Sequence, residues 1–384
     1  MEITNTTNNT APKRLLSLDI LRGFDLICLV LLQPIVYTWL DILKPAEGTF
    51  LYGVFHQILH TPWVGFNFWD IIMPLFMFMS GITIPFAMSK YKSGEKAVNT
   101  DFFRRILKRF IILVVVGWMI QGNLMALDIK QFHVFANTLQ SIAVGYVVVA
   151  LLFVFTSFRT QVAVVLISFL SYIAVFAIWG HMDFTIGTNI CEEIDRVVLG
   201  HFRDGVIWKG DTWTFDPEYD YTWILSSLNF VVTVFLGCLA GYILKGKKDS
   251  EMRKFYKLMI YGVLLIAASL ALHPLVPIIK KIWSSSMALF AGGICFLLMG
   301  LFYYCIDIKG WKKGIGWFKF YGMNSLAAYF LDKFLSFDSL TDSFFYGFKQ
   351  WMGDFYPIVD SVIQGLIVLL ILRWMYKNKI FIKA

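Results

Sequence analysis

Two histidines one helical turn apart, His56 and His60, stand just ahead of the turn residues Pro62 and Gly65. A carboxylate, Asp70, follows ten residues after His60. Imidazole accepts a proton from an amine or hydroxyl near neutral pH, so a histidine with an acid close behind it is a minimal set for general-base chemistry. The acid is the more telling residue, because between Phe66 and Met88 it is the one charge in an apolar run. An ionised side chain inside a bilayer is costly unless it finds a partner, so its presence asks for a reason. Other readings of the same residues stay open. Either histidine fits an interfacial position bonded to water or a headgroup, and the i, i+4 pair has metal-ligand spacing, though no HExxH acid stands between its members.

Further polar residues fall in or beside apolar stretches. Asp19 and Arg22 share a helix face three residues apart, as a pair or as an anchor at the membrane surface. Asp25 lies deeper in the same run and is a candidate buried partner. Gln33 falls near the far end of that run, where an amide donates to a developing oxyanion or bridges helices. Gln140, in ANTLQSIAVGY, and Asn324, in GMNSLAAY, set amides beside small residues. That pattern suits close helix packing first, and a polar channel second.

The elements that must position these groups are membrane helices. Of 384 residues, 58% are hydrophobic and only 16% charged, where soluble domains carry roughly 25% charge. An all-α integral membrane protein is expected, a polytopic bundle of about ten spans at about 20 residues each. They fall near 15–43, 66–89, 105–124, 137–157, 162–180, 222–244, 258–275, 284–306, 318–336 and 357–377. Residues 1–14 read as a polar tail and 15–384 as one transmembrane domain, with 181–221 as a loop or cap on the outer face. Lysine and arginine collect after the second, sixth, eighth and tenth spans, which puts both termini in the cytoplasm and His60 on the opposite side. The net charge of +8 is spread among these loops, so it argues for topology and not for nucleic acid. Five cysteines without CxxC spacing give no disulfide framework and no zinc site. No internal repeat is visible, which argues against an inverted-repeat transporter.

In order along the chain come RLLSLDILRG, HTPWVGFNFWDIIMPLFMFMSG, NTLQSIAVGY, FLGCLAGYIL, PIIKKIWSSS and GMNSLAAY. This succession resembles the transmembrane acetyltransferases typified by heparan-α-glucosaminide N-acetyltransferase, together with their bacterial relatives, from about Arg14 to Trp374. The resemblance implies transfer of acetyl from cytoplasmic acetyl-CoA to an amino sugar or glycan on the other side of a bacterial inner membrane, with no metal and as a homodimer. The family's active-site histidine, just ahead of a Trp-x-Gly turn, maps onto His60 before Trp63 and Gly65. Its following acid maps onto Asp70, and its early acid and arginine onto Asp19 and Arg22. Two positions depart from the pattern. Gln33 stands where the family has asparagine, and Ser141 follows Gln140 where the family has arginine.

The expected machinery is therefore His60 as general base, Asp70 orienting it or holding a partner cation, and Gln33 or Asn324 steadying the oxyanion. Trp63 and His56 are assigned to the acceptor. Arg14, Asp19, Arg22, Arg104 and Arg105 are assigned to the anionic coenzyme, with Gln140 and Asn324 along the seam that carries its arm. A covalent acetyl-imidazole route differs from direct attack by burst kinetics. The rival from another class is a transporter or flippase for a lipid-linked or sugar-like solute, for which helices interrupted near Pro34, Pro74 and Pro85 and acids in the membrane are suited.

Overall fold

A computed structural model describes residues 15–92, 100–122, 128–216 and 221–382. Its first rod joins α1 (Leu16–Ile27), a π turn (Cys28–Leu32) and α2 (Gln33–Leu43) without a break. Pro34 lies at the start of α2 and lacks the N–H that a regular helix would use, and π turns of this kind recur at functional sites. The short α3 (Phe50–His56) and a 3-10 turn (Phe68–Ile71) lead into α4 (Ile72–Lys92). Next come α5 (Thr100–Gln121), α6 (Thr138–Phe155) and α7 (Phe158–Ile178). Beyond α7, α8 (Ile190–Val198) and an antiparallel hairpin, β1 (Val206–Lys209) with β2 (Thr212–Phe215), form a small cap. Then follow α9 (Ser226–Lys245), α10 (Glu251–Leu272), α11 (Ser285–Phe302), α12 (Gly316–Met323) and α13 (Ser325–Phe334). The chain closes with α14 (Asp338–Phe345), the single turn α15 (Lys349–Met352) and α16 (Tyr356–Lys377).

The protein is an all-α polytopic membrane protein. Among the described residues, eight helical stretches are long and apolar enough to cross a bilayer, against the ten spans expected. The difference has two causes. The 22-residue α5 is long enough, but Arg104, Arg105, Lys108 and Arg109 load its first half with charge. The expected span 318–336 is two short helices that meet at Asn324.

At the centre stands α4, packed on α9, α6 and α11. Its approach to α9 depends on glycine. A Cβ at Gly81 would overlap the Val234 carbonyl, and one at Gly237 the Phe78 carbonyl. The same device joins α1 to α12, where a Cβ at Gly322 would overlap the Asp19 carbonyl. Two packed groups result. The larger core runs through α4, α6, α9 and α11, and a smaller one joins α1, α12, α13 and α16. Peripheral helices present apolar residues outward, such as Ile167 and Leu170 on α7 and Val263 and Leu264 on α10, as lipid contact requires.

Candidate active site

The first residues to place are those around Asp70. Gly65, at φ +124°, makes a turn open to glycine, after which the backbone enters the 3-10 turn. Asp70, fully buried, turns Oδ2 back to accept the N–H groups of Asn67 at 2.9 Å and Thr61 at 3.2 Å. Its other oxygen faces two nitrogens. His60 Nδ1 lies 2.9 Å from Asp70 Oδ1, and Lys280 Nζ donates to the same oxygen at 3.2 Å. Lys280 Nζ is also 3.0 Å from His60 Nδ1. The three groups form a triangle whose burial is uneven: the side chains of Asp70 and Lys280 are 0% and 5% exposed, while that of His60 is 48% exposed. His60 Nε2 makes no hydrogen bond among the described residues.

Lys280 comes from the connection between α10 and α11, 210 residues from Asp70, and its backbone is fastened on both sides. Gly65 N–H donates to Ile278 O at 2.9 Å, Val64 bridges to Ile279, and Thr222 N–H donates to Lys281 O at 2.9 Å. Ser284, which caps α11, accepts the Ile279 N–H through Oγ at 3.1 Å. Sequence reading passed over Lys280 inside PIIKKIWSSS. One signal for it existed: two adjacent lysines in a loop on the side expected to be poor in them.

All three triad residues are close to one cavity, of about 410 Å3, and His60 and Lys280 line it directly. It lies in the seam between the two packed groups of helices. Along the 3-10 turn and α4 its wall is formed by Trp69, then Ile72, Phe76, Ser80, Thr83 and Ala87, one face from end to end. Eighteen residues at about 1.5 Å each give roughly 27 Å, close to the roughly 30 Å of a hydrocarbon core. His60, Lys280, Tyr221 and Gln33 belong to the end beneath the cap. Arg22 and Arg109 enter farther along. Arg22 is eleven residues, about 16 Å of helix, from Gln33. Arg109 is eight residues, about 12 Å, from Gly117, which packs on Asn137. The Arg109 guanidinium lies 3.8 Å from the Tyr146 ring centroid and Arg22 3.8 Å from the Asp19 carboxylate.

The remaining expected site residues are placed otherwise. Gln140 is fully buried and does not line the cavity; its Oε1 accepts the N–H groups of Ala136 and Asn137 at 2.7 and 3.2 Å, closing the first turn of α6. Asn324 is also buried outside the wall, where Oδ1 accepts the Ile382 N–H at 3.2 Å. In both amides it is the oxygen that serves the backbone, while Gln140 Nε2 and Asn324 Nδ2 are buried with no hydrogen-bond partner among the described residues. Arg104 and Arg105 are exposed on α5 and do not reach the cavity, while Arg109, one turn beyond Arg105, does. Trp63 donates Nε1–H to Phe184 O at 2.8 Å and packs beneath the cap. His56 stacks near Tyr52 and faces Asn67 Nδ2 at 3.4 Å. The two histidines are thus engaged by different partners, and no group of three metal-ligating side chains occurs among the described residues. Arg14 lies outside the described residues.

No protein-family profile matches the chain. Heparan-alpha-glucosaminide N-acetyltransferase of Mus musculus is 22% identical to it, an alignment covering 98% of the chain and 61% of the mouse protein. The Homo sapiens protein of the same name is 23% identical over 83% of the chain and 52% of its own length. The chain is a distant relative of these N-acetyltransferases. It spans about half to three-fifths of the length of the relatives it matches.

Proposed function

We propose that the chain is a transmembrane acyltransferase, moving acetyl from acetyl-CoA on one face of the membrane to an amine or hydroxyl of a sugar or glycan on the other. The observation that carries this reading is the cavity along α4, with two guanidiniums partway along it and a half-exposed imidazole at the cap end. Its chemistry fits the coenzyme. Arg22 and Arg109 suit phosphates, and the mixed wall of Phe76, Ser80 and Thr83 suits a slim, weakly polar arm. The basic loops after α4 and α9 support both termini on the coenzyme side, and with them the cap end and His60 on the acceptor side.

When bound, acetyl-CoA supplies an activated thioester carbonyl. His60, with Nδ1–H held by Asp70, takes the acceptor proton at Nε2. The new N–C or O–C bond forms as the C–S bond breaks, and His60 then passes that proton to the sulfur. Gln33 lines the cavity and gives one amide hydrogen to Tyr37 Oη at 3.1 Å. Its second N–H is available to the carbonyl oxygen. Asn324 and Gln140, which do not line the cavity, are assigned no step.

The test uses sealed vesicles containing the purified chain, with labelled acetyl-CoA on one side and amino sugars or oligosaccharides on the other. Label on the sugar supports the reading. Passage of unmodified sugar without acetyl-CoA would instead make the cavity a solute path and the protein a carrier.

A further inference from the structure

Asp70 Oδ1 faces both a lysine and a histidine, and a single carboxylate balances only one full positive charge. Lys280 is the partner that needs it. Its side chain is 5% exposed, and a buried ammonium is retained when an anion pairs with it. Lys280 and Asp70 at 3.2 Å satisfy each other at zero net charge. His60, about half exposed, has water on its free side and needs no counter-ion. We infer that Lys280 is the standing counter-ion of Asp70, and that by holding this place it leaves His60 an uncharged proton acceptor. Lys280 is then a positioning residue, acting on the acceptor through His60. The inference rests on His60 being the base of the proposed transfer.

The setting is built for that role. Ile278 and Lys281, on either side, are hydrogen-bonded through their carbonyls to the His60 loop and to the segment leading into α9, so the ammonium has little freedom to leave. Other titratable groups on the surrounding elements are Tyr221, whose ring centroid is 5.8 Å from Lys280 Nζ, Tyr329 in the cavity wall, and His56, held by Asn67. Among the described residues no other carboxylate or ammonium hydrogen-bonds to the three. With an Asp–His pair alone, the imidazole would serve as the cation and carry a proton it could not accept again. A third, permanent charge removes that duty.

The experiment is the pH profile of kcat/KM for acetyl transfer by the full chain, compared among wild type, Lys280→Met, Lys280→Arg and the double variant Asp70→Asn/Lys280→Met. In Lys280→Met the carboxylate has only His60 to pair with. The acid limb should move up by about one pH unit or more, with activity lost near pH 6 and largely recovered by about pH 8.5. Lys280→Arg should hold the limb in place, and removing both charges should return it toward the wild-type position. An equal loss at every pH in Lys280→Met would overturn the inference and make Lys280 a strut or a direct contact to substrate. If Lys280→Met does not fold, the double variant decides: a limb near the wild-type position supports the inference and a raised limb refutes it. Wild-type transfer that depends on His60, without these shifts, sinks this inference alone. Absence of His60-dependent transfer sinks the functional reading, and the inference with it.

Discussion

Removal of the His60 imbidazole is the sharpest change available at a single residue. His60→Ala should lower acetyl transfer by about 10²- to 10⁴-fold, the usual worth of a positioned base, and leave thermal stability near wild type because the ring is half exposed. Activity within a few-fold of wild type would exclude His60 as the base. The cations divide in a similar way. Arg109→Ala should raise the KM for acetyl-CoA by about tenfold or more, since charge-assisted contacts are worth about 1.5–3 kcal/mol, while Arg104→Ala should leave it within twofold. Equal effects would mean that the cavity is not the coenzyme's path. Part of this was legible in the chain itself. His60 and Asp70 stand out as polar residues against an apolar background, with the spacing that lets a turn bring them together. Lys280 does not, because 210 residues separate it from its partner and only the folded chain joins them. Gln140 and Asn324 misled for a physical reason: an amide beside small residues looks the same whether it faces a channel or satisfies a backbone N–H.

Among the elements, the crossing of α4 with α9 and the docking of the cap matter most for the site. Gly237→Ala forces a Cβ against the Phe78 carbonyl, and overpacking of this kind costs about 1–3 kcal/mol. The expected result is a lower unfolding midpoint in detergent. Gly53→Ala, where nothing lies within 4 Å of the added carbon, is the matched control and should be neutral. The cap is docked through Asp195 on α8, fully buried, which accepts the N–H groups of Trp223 at 2.7 Å and Ile224 at 2.9 Å. Burial outweighs these donors and the nearby Arg203, and the carboxyl is pushed up to about 6. An acid that holds its proton more tightly when folded stabilises most below its unfolded value, and that contribution is lost as pH rises through about 6. The cap should therefore unfold at a higher temperature at pH 5 than at pH 7, read by Trp223 fluorescence, and Asp195→Asn should flatten the difference. A pH dependence that survives in Asp195→Asn would assign it to another group. The long apolar helices were readable from hydropathy because composition alone decides them. The break at Asn324 was not, since a bend between two packed half-helices leaves no change of composition.

For the whole molecule, the decisive property is that one seam between the two packed groups is lined along α4 from Ile72 to Ala87. Helices α1, α12 and α13 pack as one group, α4, α6 and α9 as part of another, and the cavity is the space left between them. A solute carrier and a transmembrane transferase both need such a seam, but they use its middle differently. A carrier moves its cargo past every level of the wall. A transferase needs only a slender arm to reach the far end, while the nucleotide stays behind with Arg22 and Arg109. Thr83 tests this, because it lines the cavity and its Oγ1 donates to Ser80 O at 2.6 Å on its own helix, so its loss breaks no link between helices. Thr83 is fourteen residues, about 21 Å, from Trp69, on the coenzyme side of Arg22 and Arg109, so Thr83→Phe should cut both acetyl transfer and the binding of free coenzyme A, used as the probe, at least tenfold. Loss of transfer with coenzyme binding intact would place the nucleotide outside Thr83, short of Arg22 and Arg109. Undiminished transfer would mean that acetyl reaches His60 by a path other than the seam, and the link between the cavity and the chemistry would be broken.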